Sequence, residues 1–298
     1  MPEYPVQKPD PFRPILGAGL FAFGYYILLN LLATVAQFLG RSMVAQTVPP
    51  LLAASMLGAL AMAIFESRGL TDLGLHWRSE AQTNLLRGIA VGVGGAALLI
   101  LGPVAVGTAH YQVVPDSHWS VQGIVFTMAL LFCGAAGEEI AFRGFPLQFL
   151  MRGYGAWPGV LGIGILFGLL HGFNPGATPL SIANTAGFGI LFGVALLRSH
   201  DLWLPIGLHF GWNATLPLLG VELSGFTIQV VGYRVVWKAG TLWSGGAYGP
   251  EASILASLVL VMLFVAVWKM PVRRGYAWLL DAKPEWQLES SESSAPVD

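Results

Sequence analysis

Three short stretches carry polar side chains at spacings that can do chemistry: 138-EEIAFR-143, 167-FGLLH-171 and 209-HFGWN-213. Glu139 and Arg143 are four apart, so on a helix they share a face and can pair. Glu138 lies one step round and is left without that partner. His209 and Asn213 are also four apart, and both can donate hydrogen bonds in one direction. Glu138 can take a proton from water while His171 positions or protonates that water. His209 and Asn213 can donate to the oxyanion that forms on an attacked carbonyl. The set suits hydrolysis. Each stretch alone also has a plainer reading: a structural ion pair, an interfacial histidine at a helix end, and an interhelical hydrogen-bond pair of the kind polar residues supply in membranes. Three such stretches on three apolar runs point to one shared site.

Their surroundings give these residues weight. The chain has 298 residues, 55% of them hydrophobic and 10% charged, with a mean hydropathy of +0.65. Soluble domains carry about 25% charge, so the composition predicts an all-α, polytopic transmembrane bundle. An ionised side chain at mid-bilayer costs about 2.5–3.5 kcal/mol on insertion scales. Helices carry that only with a partner or a watery cavity. The net charge of −1 offers no basic field, so no nucleic-acid partner is expected. The single cysteine, Cys133, leaves no intramolecular disulfide and no cysteine metal cage.

The elements that must position the site are apolar runs near 14–39, 47–65, 88–107, 120–150, 156–172, 180–198, 202–219 and 252–270. At about 20 residues per crossing these predict eight spans. The first reads as an anchor rather than a secretory signal. The fourth is too long for one simple span, which predicts an extension or a break after Phe145-Pro146. With eight spans and the N-terminus inside, 12 Lys and Arg residues fall on inner segments and 3 on outer ones, which favours cytoplasmic termini at both ends. Residues 66–87 read as an interfacial segment. Residues 220–251 form the longest outer loop, in which FTIQVVGYRVVW reads as a small hairpin and Pro250 as a helix start. The expected organisation is one transmembrane domain over 1–280, with its catalytic core near 120–215, and a polar, acidic, disordered tail over 281–298. One tension remains. His171 lies near the outer end of a simple fifth span, while Glu138 and His209 lie deeper. Tilt, or a break at 159-GVLGIG-164, is expected to bring them level.

Other chemistries fit less well. No HExxH zinc site and no GxSG serine site is present, and Asp72, Asp116 and Asp201 lie in or beside loops. A zinc centre held by His171, His209 and a glutamate is the metal alternative, although no compact zinc motif supports it. A non-catalytic immunity or scaffold protein, and a transporter built on inverted repeats, are the alternatives from other classes; no repeat is evident.

Taken together and in order, EExxxR, FxxxH and HxxxN resemble the three motifs of the CAAX protease and bacteriocin-processing family, also called ABI or CPBP. The stretches 69-GLTDLGL-75 and 245-GGAYGPEAS-253 also look like bacterial members. The resemblance implies an eight-helix intramembrane endopeptidase that works with a glutamate and needs no obligatory metal or other cofactor. By that resemblance Glu138 and His171 activate water, His209 and Asn213 form the oxyanion hole, and Glu139 and Arg143 support them. It implies a multi-pass protein of a prokaryotic cell membrane. Its partners would be the lipid bilayer and membrane-associated peptides or proteins, prenylated or otherwise lipid-anchored ones among them. Helical peptide bonds are guarded by their own hydrogen bonds. A substrate with a flexible or lipid-anchored end, and a lateral opening between spans, are therefore expected.

Overall fold

Apolar chain in a bilayer must satisfy its backbone polar groups internally, and helices do so within one segment. The computed structural model describes residues 12–38 and 43–282. It is an all-α bundle built on α1 (Phe12–Gln37), α2 (Met43–Glu66), α3 (Ser79–Ala105), α4 (Val121–Arg143), α6 (Ala156–His171), α7 (Pro179–Ser199), α8 (Trp203–Leu218) and α10 (Ile254–Lys269). Shorter pieces are α5 (Phe145–Tyr154), α9 (Thr241–Ser244) and α11 (Trp278–Asp281). Among the described residues five segments are long and apolar enough to cross a membrane: α1, α2, α3, α7 and the stretch Val121–Tyr154. The other main helices, α6, α8 and α10, have 16 residues each, about 24 Å at 1.5 Å per residue. The tail expected from 281 lies, from 283 onward, outside the described residues.

The long fourth run bends at Gly144, one residue before the expected Phe145-Pro146 step. A Cβ on Gly144 would sit 2.2 Å from the Ile140 carbonyl oxygen, so only glycine fits the bend. Pro146 follows in the first turn of α5, where a missing N–H costs nothing. The buried Gln148 donates from Nε2 to the carbonyls of Arg143 (3.0 Å) and Leu73 (2.9 Å). It thereby satisfies the α4 end that the bend frees.

This bend also answers the depth question. His171 Nε2 ends 4.0 Å from Glu138 Oε2, so the two stand at one level although α6 has only 16 residues. The extra length of α5 lets α6 climb to the level of Glu138. The expected break at 159–164 does not occur, because α6 is continuous.

Glycine contacts set the helix spacing. On α3, a Cβ at Gly88 would lie 2.4 Å from the Leu204 oxygen, and one at Gly92 2.3 Å from the Leu208 oxygen. On α8, a Cβ at Gly207 would lie 2.3 Å from the Leu85 oxygen, and one at Gly211 2.5 Å from the Ile89 oxygen. Two facing small-xxx-small ridges thus bring the α3 and α8 backbones into contact, as membrane helices lacking a hydrophobic driving force require. Gly164 and Gly189 repeat the device between α6 and α7.

The strand-like loop sequence does form a strand, but not a local hairpin. β2 (Tyr233–Trp237) pairs antiparallel with β1 (Ala109–Val113), which lies in the α3–α4 connection. At the end of the bundle where α5 lies, Arg152 pairs with Glu66 at 2.6 Å, and the Trp278 indole donates to the same carboxylate at 2.9 Å. Asp201, in the α7–α8 turn, accepts from the Leu204 N–H (3.0 Å) and from Asn84 Nδ2 (2.6 Å). Asn84 in turn holds the Arg273 backbone.

Two stability tests follow from these contacts. Gly211→Val should push α8 off α3 and cost roughly 1–3 kcal/mol or more. Gly94→Ala, where a Cβ meets nothing within 4 Å, should be neutral or gain about 0.5–1 kcal/mol; thermal unfolding in detergent compares the two. Separately, burial pushes the Asp201 carboxyl up from 3.8 to about 6. A proton held more tightly in the folded state stabilises below the unfolded value and is lost as pH rises through the folded one. The melting temperature should therefore carry a downward component between pH about 4 and 6, which Asp201→Asn should flatten in a Tm–pH profile.

Candidate active site

The site begins with a fully buried ion pair. Glu139 and Arg143 lie one turn apart near the end of α4, both 0% exposed, with Arg143 Nη1 3.2 Å from Glu139 Oε1. Arg143 Nη2 donates to the Gly189 carbonyl on α7 at 2.9 Å. The guanidinium is surrounded by rings: its Cζ stands 4.4 Å from the Phe167 centroid, 5.1 Å from Phe192 and 5.7 Å from Phe142. All lie within the roughly 6 Å over which ring quadrupoles attract a cation. Glu139 Oε2 and Arg143 Nε make no hydrogen bond among the described residues, so the pair is not a two-bond fork. Three aromatic faces and a backbone carbonyl supply what the fork does not.

Glu139 also reaches a second helix. His209 Nδ1 is 2.9 Å from Glu139 Oε1. Oε1 already accepts from Arg143 Nη1, so it accepts here too and His209 Nδ1 donates. The His209 ring stacks on Phe192, centroids 4.8 Å apart and 17° between planes. His209 lies between Gly207 and Gly211, so the α3 contact that seats α8 also sets its depth. His171 is fixed likewise: its Nδ1 is 2.8 Å from the Phe167 carbonyl oxygen, which can only accept, so that nitrogen donates. Each histidine thus commits Nδ1 to a structural bond and leaves Nε2 free.

Both Nε2 atoms face Glu138. They stand 4.0 Å (His171) and 3.9 Å (His209) from Glu138 Oε2, too long for direct hydrogen bonds. Glu138 Oε2 has no protein hydrogen-bond partner among the described residues, although the side chain is 36% exposed as a whole. One edge of the carboxylate is thus sheltered between two imidazoles while the rest remains open. Asn213 sits one turn beyond His209 on α8, half-buried, and its amide has no hydrogen bond among the described residues. The structure therefore brings Glu138, Glu139, Arg143, His171 and His209 into one cluster, with Asn213 on the same helix face as His209.

A carboxylate beside two imidazole nitrogens can accept, hold and pass on a proton. Tetrahedral zinc, with bonds near 2.0–2.1 Å, would set ligand atoms about 3.3 Å apart. The 3.9 and 4.0 Å spacings here are wider, and among the described residues no trio of His, Cys, Asp or Glu is arranged to hold a metal.

Sequence reasoning missed several residues that build this site. Phe142 and Phe192 cage the guanidinium, Gly189 lends it a carbonyl, and Gln148 seals the bend beneath it. Phe188 and Phe192, four apart on α7, were the available signal for an aromatic face.

Residues 118–215 match the Rce1-like family of type II CAAX prenyl endopeptidases. This is the CPBP/ABI family that the three motifs resemble, and the matched stretch contains all six motif residues. The family supports a CAAX-type intramembrane protease, hence a hydrolase, and the apolar helices agree with an integral membrane protein. A search of curated proteins found no match.

The buried pair makes a sharp stability prediction. Arg143→Met would strand the Glu139 charge and should cost roughly 3–5 kcal/mol. Arg143→Lys should recover only part, since an ammonium lacks the second arm that reaches Gly189. Glu138→Gln should melt at or above the wild-type temperature, because it removes an unpaired charge. Unfolding of the three variants in detergent checks the order.

Proposed function

We propose that the protein is an intramembrane endopeptidase in which Glu138 activates water, on membrane-associated substrates that include lipid-anchored peptides. The observation that carries this reading is the convergence of two imidazole Nε2 atoms, from different helices, to within 4.0 Å of a carboxylate oxygen that makes no protein hydrogen bond among the described residues. A half-buried carboxylate within an apolar helix and with no structural partner is a functional-site candidate. The family match over the same residues supports the reaction class.

In this reading Glu138 and His171 face the attacking water. Glu138 takes its proton as oxygen bonds to the scissile carbonyl carbon. The carbonyl oxygen becomes an oxyanion, to which the Asn213 amide and His209 donate. His209 Nδ1 is already committed to Glu139, so it can donate from Nε2 only as the imidazolium. The Glu139 carboxylate stands behind it, as a buried carboxylate stands behind a triad histidine. When the C–N bond breaks, the departing amine takes the proton from Glu138, directly or through His171. Arg143 stays paired with Glu139 throughout. This reading routes no step through a metal.

Purified protein in detergent should cleave members of a pool of prenylated and membrane-tethered peptides. Glu138→Ala and His171→Ala should each lose at least about a hundredfold in rate, in line with loss of general acid–base catalysis, while a chelator leaves wild type active. Full activity in Glu138→Ala would sink the glutamate mechanism. Loss with chelator and recovery with zinc would replace it with a metal one.

A further inference from the structure

Outside the site, one buried carboxylate is used by nothing described so far. Glu251 lies in the short 3₁₀ turn Pro250–Ala252, between β2 and α10, and is 7% exposed. Among the described residues no cation pairs with it. Instead three donors converge on its carboxylate: the Trp212 indole on Oε1 at 2.9 Å, and the Ser224 backbone N–H (2.5 Å) and hydroxyl (3.1 Å) on Oε2. Its own backbone carbonyl accepts from Asn184 of α7 at 2.8 Å. Ser224 holds a left-handed backbone, φ 50°, which a residue other than glycine keeps only where its surroundings fix it.

Each of these contacts leads back to the site by a different route. Trp212 is the neighbour of Asn213 and lies one turn from His209. Its ring packs on Phe188 at 4.5 Å, Phe188 meets Phe192 at 6.1 Å, and Phe192 stacks on His209. On the other side, the Ser224 carbonyl accepts from Asn174 Nδ2 at 3.1 Å, and the Asn174 N–H bonds the His171 carbonyl at 3.1 Å. His171 is the last residue of α6, so this loop is what holds it from above.

We infer that Glu251 is a positioning residue: its carboxylate ties Ser224, and through Asn174 the end of α6 that carries His171, to Trp212 on the helix α8 that carries His209 and Asn213, and so sets the distance across the site. The inference rests on the reading of that site as a peptidase centre. The carboxylate does this with acceptors alone. An amide in its place would turn an N–H toward either Trp212 or Ser224, which are both donors, and one tie would open.

Glu251→Gln, Trp212→Phe and the double variant test this in the full chain, purified in detergent, on the peptide of the pool that wild type cleaves fastest. Small displacements of catalytic groups cost up to about a hundredfold. Each single variant should therefore lower kcat by about tenfold to a hundredfold with KM nearly unchanged. The double variant should fall no further than the worse single one, because both break the same tie. Hydrogen exchange supplies a readout that needs no activity: in Glu251→Gln, amides of 172–178 and 212–215 should exchange faster together. Unchanged kcat, a loss carried by KM alone, additive losses, or faster exchange confined to 220–226 would each overturn the inference. Glu138→Ala is run alongside. If it still cleaves at the wild-type rate, the assignment of Glu138 as the water-activating group has failed, and if wild type itself cleaves nothing the peptidase reading has failed; in either case the exchange data decide the role of Glu251 separately.

Discussion

The structure depends on one constraint: a guanidinium and a carboxylate must be held together out of water. Arg143 and Glu139 are both fully buried. Desolvating such a pair costs several kcal/mol per ion, and attraction repays it only with good geometry and further bonds. The chain supplies those from four helices. α4 gives the pair itself, α7 a carbonyl and Phe192, α6 Phe167, and α8 His209. Any rearrangement of these helices exposes an uncompensated charge to hydrocarbon. The pair thus acts less as a source of stability than as a register mark that only one packing satisfies. Glu138 is adjacent in sequence and inherits that register without sharing the pair.

Packing carries the same constraint outward. Imidazoles on separate helices come within 4.0 Å of one carboxylate oxygen only if the backbones are very close. The facing glycines of α3 and α8 achieve this on one side, and Gly164 with Gly189 on the other. Small residues give up side-chain contacts but let whole backbones approach. The site is consequently rigid at its back and open only at the Glu138 and Asn213 edge, as catalysis by positioned groups requires.

The motif residues were legible because charge in a membrane is expensive, so its placement carries information. The bundle class was legible from composition for the same reason. What escaped notice was either local or distant. The bend at Gly144 is one residue in an unbroken apolar run, and hydropathy is blind to it, so the level of His171 seemed inconsistent until α5 was counted. The strand 233–237 was readable, but its partner lies more than a hundred residues earlier, and pairing between distant segments leaves no periodic trace. Glu251 sits in a loop, where an acidic residue is unremarkable on sequence grounds; only its three donors mark it out. Which nitrogen of His171 and His209 is free depends on Phe167 and Glu139, and composition holds no sign of that.

The three 16-residue helices bear on the solvent of the reaction. At about 24 Å, α6, α8 and α10 fall short of a hydrocarbon layer of roughly 30 Å, and a bilayer adapts to a short apolar helix by thinning toward it. The proposed hydrolysis consumes water, which hydrocarbon excludes. His171 is the last residue of α6, so a helix of this length sets the proposed site beside the end of a short element rather than in the middle of a long one.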